Sequence, residues 1–108
     1  MIIGFDRMEE KRMPAFKGGA GELIAKMHSD ADGKIMMGRL LPGSSIGYHT
    51  HEGNSETIYI ISGSGKELSD GDMIPAIPGE IHYCGDGHSH SLINDSEDSE
   101  LVFFAVIK

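Results

Sequence analysis

The chain has 108 residues, 39% of them apolar, and its 17 acidic against 9 basic side chains give a formal net charge of -8. This length fits one domain, and the apolar fraction is too high for a disordered segment. Nucleic acid and anionic membrane surfaces are excluded as partners, because both require a basic face. The single cysteine, Cys84, rules out an internal disulfide and favours a reducing compartment, so we expect a cytoplasmic protein.

The first 21 residues are predicted to form an N-terminal arm that precedes the folded domain. Residues 7–12 are the best helix candidate in the chain, and Pro14 would end this helix within two turns. Ile2, Ile3 and Phe5 give the arm an apolar start, which a frayed terminus would leave exposed. We therefore expect the arm to pair with a second subunit.

Residues 22–108 are predicted to form a single all-β domain. Fifteen glycines spread along the chain indicate many tight turns, and no crossover helix separates the apolar runs. The longest run, residues 101–107, is far shorter than the roughly 20 residues of a membrane helix. Pro75 restricts its strand to a sheet edge or a bulge. The predicted strands are 22–28, 34–41, 46–51, 56–61, 66–68, 73–77, 80–84, 88–93 and 100–107. Strands in this number, joined by turns, predict an antiparallel sandwich or closed barrel.

Two His-x-His pairs are candidate metal ligands: His49 with His51, and His88 with His90. On a strand, residues i and i+2 point to the same face and lie about 6–7 Å apart, so two imidazoles can converge on one ion. Glu56 begins the strand after the loop that follows His51, and its carboxylate could add an oxygen ligand. The spacing alone does not decide between a metal site and a solvated strand edge, which is the more common origin of such a pair.

A longer pattern surrounds the first histidine pair. It reads Gly43, five residues, His49, one residue, His51, four residues, Glu56, six residues, Gly63. This pattern resembles the first conserved motif of the cupin family at every fixed position.

The second cupin motif has its counterpart further along the chain. Gly79, Gly87, His90 and Asn94 stand at the spacing of that motif. Gly85 occupies the position at which the family usually has proline, and glycine can form the same turn. The departure leaves the ligand position unaffected.

A rival alignment of the second motif would make His82 the ligand. It lacks the residue expected between Pro78 and Gly79, and Asp86 then stands where asparagine belongs. It also leaves too little chain after the first motif for the strands between the two motifs. The sequence therefore favours His90 over His82.

The resemblance to cupins implies a double-stranded β-helix, a jelly-roll-like antiparallel barrel with a metal inside. By that resemblance, His49, His51, Glu56 and His90 would bind one divalent ion. Three imidazoles and one carboxylate suit iron, manganese, nickel, cobalt or zinc. In an octahedral site, two positions would remain for water or substrate. Small cupins are commonly dimers, so the resemblance also implies a homodimer.

Other side chains are predicted to surround this centre. The candidates for orienting a substrate or transferring a proton are His82, Tyr83 and His88. The residues that share the strand parity of the ligands, and are expected to line an apolar pocket wall, are Ile58, Ile60 and Leu92. Cys84 is expected to be a small buried apolar residue rather than a nucleophile.

Two functions are consistent with these residues. The first is a metalloenzyme acting on a small polar metabolite, as a dioxygenase, isomerase or lyase of the cupin type. The alternative is a non-catalytic cupin that binds a sugar or a carboxylate. Charged or tyrosine side chains beside the open metal positions would favour catalysis, whereas a purely apolar cavity would favour binding.

Overall fold

Ten strands in two antiparallel sheets make up the protein, whose computed structural model describes residues 1–108. The strands are β1 Lys11–Pro14, β2 Glu22–Asp30, β3 Gly33–Leu40, β4 His49–Thr50, β5 Glu56–Ser62, β6 Gly65–Ser69, β7 Asp72–Ala76, β8 Ile81–Cys84, β9 Ser89–Ile93 and β10 Leu101–Ile107. Six of them form one sheet in the order β1-β2-β3-β10-β5-β8, and four form the other in the order β4-β9-β6-β7. The predicted all-β antiparallel fold is confirmed.

Alternating burial explains how the sheets enclose a common core. In β10, Leu101, Phe103 and Ala105 are buried, while the residues between them are not, as expected for a strand with one face turned inward. A Cβ on Gly38 of β3 would lie 2.6 Å from the ring of Phe103. The absence of a side chain at Gly38 therefore lets this fully buried ring lie against the neighbouring strand.

The predicted helix over residues 7–12 is wrong. A single 3₁₀ turn spans Phe5–Arg7, and β1 follows at Lys11–Pro14 and pairs with β2 of the same chain. A helix of six residues is marginal in water, because nucleation outweighs the few hydrogen bonds that it gains. The free edge of β2 offers backbone partners instead, and the Arg12 guanidinium forms an ion pair with Glu22 at 2.6 Å.

The strand containing Pro75 lies at a sheet edge, as predicted. β7 pairs only with β6, and it ends the four-stranded sheet. The strand predicted over 46–51 is shorter than expected, because only His49–Thr50 pairs regularly, with β9. No helix in the structure has both the length and the apolar character needed to cross a membrane.

Candidate metal centre

The four residues that the motifs select come together inside the barrel. The register of β4 on β9 places His49 directly opposite His90. His51 follows β4, and Glu56 begins β5 in the facing sheet. One ligand atom from each of these four residues lies within 4.8 Å of those of the others. His82, the ligand of the rival alignment, is not in this group.

The distances between the donor atoms have the size expected around one small cation. Nε2 of His51 lies 3.0 Å from Nε2 of His90 and 3.1 Å from Oε1 of Glu56. The same Oε1 lies 2.9 Å from Nε2 of His90. Neighbouring donors at about 2.1 Å from a metal are about 3.0 Å apart in an octahedron and about 3.4 Å apart in a tetrahedron. The donor atoms of His51, His90 and Glu56 are therefore close enough together to share one ion, and those of all four residues lie within 4.8 Å of one another.

Hydrogen bonds fix the tautomer of every histidine in the group. Each imidazole donates its Nδ1 proton to an oxygen, so that in its neutral form the ring carries a lone pair on Nε2. The acceptors are the Gly47 carbonyl at 2.7 Å from His49, Oδ1 of Asn54 at 2.7 Å from His51 and Oε1 of Glu67 at 2.8 Å from His90. Three nitrogen lone pairs and a carboxylate oxygen therefore face one point. Such a set has acceptors only and requires a cation, so the residues fit a divalent metal.

The surroundings of the group shift the pKa values of His49 and His90 in opposite directions. Burial lowers the pKa of His49 and so keeps this imidazole neutral and able to coordinate. Burial also opposes charge on His90, but its hydrogen bonds with Glu56 and Glu67 outweigh that effect and raise its pKa to about 9. Without a metal, Nε2 of His90 therefore carries a proton that it donates to Glu56 at 2.9 Å, and a bound metal would replace this proton. The two carboxylates therefore stabilise a cation at this point of the barrel, and a bound metal would supply that charge.

Glu67 is a buried residue of the site that the sequence did not indicate. Its two carboxylate oxygens accept hydrogen bonds from Nδ1 of His90 and from Nδ1 of His82, the latter at 2.7 Å. Burial raises the pKa of Glu67, but these two hydrogen bonds more than offset it, so the net pKa is lowered. The candidate ligand that it contacts, His90, stands 23 residues away along the chain, so no local spacing could have identified Glu67.

A cavity of about 260 Å³ adjoins the donor group. His49, His51 and Glu56 form part of its wall. The other lining residues are Phe16, Lys17, Met27, Lys34, Met36, Ile46, Thr50, Glu52, Asn54 and Ile107.

The predicted pocket wall needs correction. Ile58, Ile60 and Leu92 do not line this cavity but are fully buried in the hydrophobic core. The alternation of the strands correctly predicted that these side chains point into the barrel. It does not predict how deep in the barrel each one lies. At their depth the interior is filled by other core side chains, so no open space remains for them to line.

The three candidates for proton transfer also lie away from the cavity. Tyr83 is 65% exposed on the outer face of β8. His88 is exposed and pairs with Asp70, with Nδ1 at 2.7 Å from the carboxylate. His82 is buried, but it contacts Glu67 rather than the donor group. Cys84 is buried as expected, and burial raises the pKa of its thiol to about 11, which makes it a poor nucleophile.

Comparison with known proteins identifies the family. Residues 36–107 match the model of the cupin domain family Cupin_2. The chain therefore belongs to the cupin family. An oxalate-binding protein from Thermotoga maritima is 35% identical over 114 aligned residues, which cover 99% of this chain and 93% of that protein.

Solved structures extend the comparison to the fold. The structure of a predicted oxalate decarboxylase from Thermotoga maritima aligns with a TM-score of 0.91 and 30% identity, covering 99% of this chain and 97% of that one. A polyketide cyclase from Streptomyces resistomycificus aligns with a TM-score of 0.78 and 19% identity, over 99% of this chain and 78% of that one. The second likeness concerns the fold alone.

Proposed function

We propose that this cupin binds one divalent transition metal through His49, His51, Glu56 and His90, and that the metal-loaded cavity binds a small dicarboxylate such as oxalate. The observation that carries the proposal is the convergence of three Nε2 lone pairs and one carboxylate oxygen beside an accessible cavity. Manganese and iron are the first metals to test, because a site of mixed nitrogen and oxygen donors suits them.

The size of the cavity limits the ligand. At about 260 Å³ the cavity is smaller than the roughly 300–1,000 Å³ of sites for drug-sized ligands. A two-carbon dicarboxylate is small enough, and its carboxylate oxygens are suitable donors to such a metal. The relative from Thermotoga maritima that is named an oxalate-binding protein supports this choice of ligand.

The residues of this chain would divide the work of binding. When bound, the metal would supply a Lewis-acid centre for carboxylate oxygens. The hydrogen bonds to Gly47, Asn54 and Glu67 hold the three imidazoles in the coordinating tautomer. Apolar side chains of the cavity, such as Met36 and Ile46, exclude water and so strengthen the electrostatic attraction of the anion.

Metal content and calorimetry test this function together. We expect about one manganese or iron per chain by elemental mass spectrometry, and heat of oxalate binding only in the metal-loaded protein. His51→Ala and His90→Ala should each lose the metal and the oxalate binding. His88→Ala is the matched control, because His88 is exposed and outside the cavity. A wild type that takes up no metal after reconstitution would refute the proposal.

Turnover of the same ligand is the second candidate function. The cavity is not purely apolar, because Lys17, Lys34 and Glu52 line it, and charged side chains at this place favour catalysis. Glu52 supplies a carboxyl group in addition to Glu56. The structure of the predicted oxalate decarboxylase from Thermotoga maritima supports oxalate as the compound to test. Cleavage of the carbon–carbon bond of hydrogen oxalate would give carbon dioxide and formate. If the protein is such an enzyme, Glu52→Gln should abolish formate release while oxalate still binds.

We also propose that the protein is a homodimer. β1 lies at the edge of the six-stranded sheet, so one of its edges remains free to pair with another strand. In the segment before β1, Ile2 is 84% exposed, and a second copy would cover such a side chain. Light scattering should give twice the mass of the chain. A monomer at micromolar concentration would contradict this proposal.

A further inference from the structure

We infer that Lys17 and Lys34 form a cationic rim that makes the cavity selective for ligands with two negative charges. This inference rests on the proposed function and goes beyond it, because it assigns the charge selectivity to two residues outside both cupin motifs. Lys17 belongs to residues 1–21, the predicted N-terminal arm, so this segment becomes part of the ligand site.

Both lysines are exposed residues of the cavity wall, and Nζ of Lys17 lies 5.8 Å from the centre of the Phe16 ring, which lines the same cavity. Each lines the cavity that also touches His49, His51 and Glu56. Neither takes part in an ion pair, whereas Lys66 is paired with Asp95 at 3.5 Å.

The other acidic group at this cavity only partly balances these lysines. Glu52 also lines it, and Glu56 would be neutralised by a bound metal. Two lysines against one free glutamate leave a formal excess of one positive charge among the residues that line the cavity, and Lys34 also borders a neighbouring groove lined by Asp30 and Asp32. In a chain with a net charge of -8, such an excess marks a place where an anion is favoured over the rest of the surface.

The turn that carries Lys17 is a fixed wall of the site. Ala15 and Lys17 have φ values of 50° and 55°, in the left-handed region that residues with a side chain rarely adopt. The carbonyl of Phe16 accepts a hydrogen bond from the Gly47 amide at 3.0 Å. A Cβ on Gly47 would lie 2.0 Å from the carbonyl oxygen of Lys17, so this approach requires glycine. Strain held by surrounding contacts in this way is typical of functional segments.

The attachment point of the turn links it to the metal ligands. Gly47 stands two residues before His49, and its carbonyl accepts the Nδ1 proton of that ligand. The same glycine therefore positions both a ligand imidazole and the turn that carries Lys17. When one carboxylate of the ligand binds at the donor group, its second negative charge would be attracted by Lys17 and Lys34. A monocarboxylate has no such second charge.

Calorimetry on the manganese-loaded full chain tests the rim. The probes are oxalate and malonate as dianions and acetate as a monoanion. Lys17→Gln and Lys34→Gln should each weaken oxalate binding about fivefold, and the double variant should weaken it at least tenfold. Acetate binding should change by less than twofold, and added salt should weaken oxalate binding less in the double variant than in the wild type. Lys17→Arg should retain the affinity.

The matched control is Lys11→Gln, which removes the same charge from an exposed lysine of β1 outside the cavity. Manganese affinity should stay within about twofold in all variants, because no variant alters a ligand. The inference is overturned if the double variant binds oxalate as tightly as the wild type, or if Lys11→Gln has an equal effect. If the wild type binds manganese but no dicarboxylate, the proposed function fails, and the rim fails with it.

Discussion

At the scale of single residues, metal binding by this group would depend on the oxygens that accept hydrogen bonds from the imidazoles as well as on the candidate ligands themselves. Each imidazole is held by one acceptor, and these acceptors differ in kind: a backbone carbonyl, an amide and a buried carboxylate. The carboxylate of Glu67 is the only charged one of the three. It therefore both orients His90 and adds negative charge near the metal position.

Substitution of Glu67 should weaken metal binding without changing a ligand. Glu67→Ala removes the acceptor of His90, and we expect a loss of about 10–100-fold in manganese affinity, measured by competition with a fluorescent chelator. Glu67→Gln should lose less, because its amide oxygen can still accept one hydrogen bond. Glu97→Ala, at an exposed glutamate, is the control. Wild-type affinity in Glu67→Ala would show that the carboxylate has no role in holding the metal.

The His82–Glu67 pair should make stability depend on pH. The hydrogen bond with Glu67 raises the pKa of His82 above 6.5, against the opposing effect of burial. The charge of Glu80 raises this pKa further, and that of His90 lowers it. Protonated His82, paired with Glu67, therefore stabilises the fold fully below pH 6.5. This stabilisation is lost as the pH rises through the raised pKa of His82.

The measurement is urea unfolding of the metal-free protein and of His82→Gln. The wild type should exceed the variant in free energy of unfolding by more at about pH 6 than at about pH 9. His28→Gln is the comparison, because His28 pairs with Asp30 at 2.9 Å in a more exposed setting. A difference between wild type and His82→Gln that grows toward high pH would contradict a raised pKa for His82.

At the scale of elements, the sequence could predict features that depend on residues at short or fixed spacings along the chain. It could not predict features that arise only when distant strands meet. The grouping of the four candidate ligands was predictable, because three of them lie within eight residues and His90 belongs to a motif with fixed spacing. Strand β1 was not predictable, because it forms by pairing with the free edge of β2 and not because of an alternating pattern in its own sequence. Lys17 and Ile107 meet at the cavity only through the topology of the sheets, and no pattern in the sequence joins them.

Gly47→Ala should disturb the turn and spare the rest of the barrel. The added Cβ would lie 2.0 Å from the Lys17 carbonyl oxygen, so the turn must move. We expect a loss of roughly 1–3 kcal/mol in the free energy of unfolding, measured by urea denaturation. Gly85→Ala is a suitable control, because a Cβ there would have its nearest contacts at an ordinary 3.5 Å. Equal stability of the two variants would show that the turn is not held at Gly47.

At the scale of the whole molecule, the metal would join the two sheets. His49 and His90 lie on the four-stranded sheet, whereas Glu56 begins a strand of the six-stranded one. A metal held by all of them would therefore crosslink the sheets at one end of the barrel. Because an unfolded chain lacks the assembled site, binding to the folded form stabilises the fold.

Metal loading should accordingly raise the melting temperature. With free metal at about a thousand times the dissociation constant, binding adds about 4 kcal/mol, equivalent to an increase on the order of 10–20 °C for a chain of this size. Differential scanning fluorimetry with and without manganese measures the increase. His90→Ala should show almost none of it. An unchanged melting temperature in the loaded wild type would mean that the metal does not crosslink the sheets.

The position of β10 has a consequence for the time at which the site is made. β10 lies between β3 and β5 in the middle of the larger sheet, and Ile107 lines the cavity. Lys108 exchanges two backbone hydrogen bonds with Ser55, next to the loop that carries Asn54. During synthesis, the donors at 49–56 and 90 emerge before residues 101–108, which complete the wall. A metal at the donor group would therefore be enclosed only after this last strand has paired between β3 and β5.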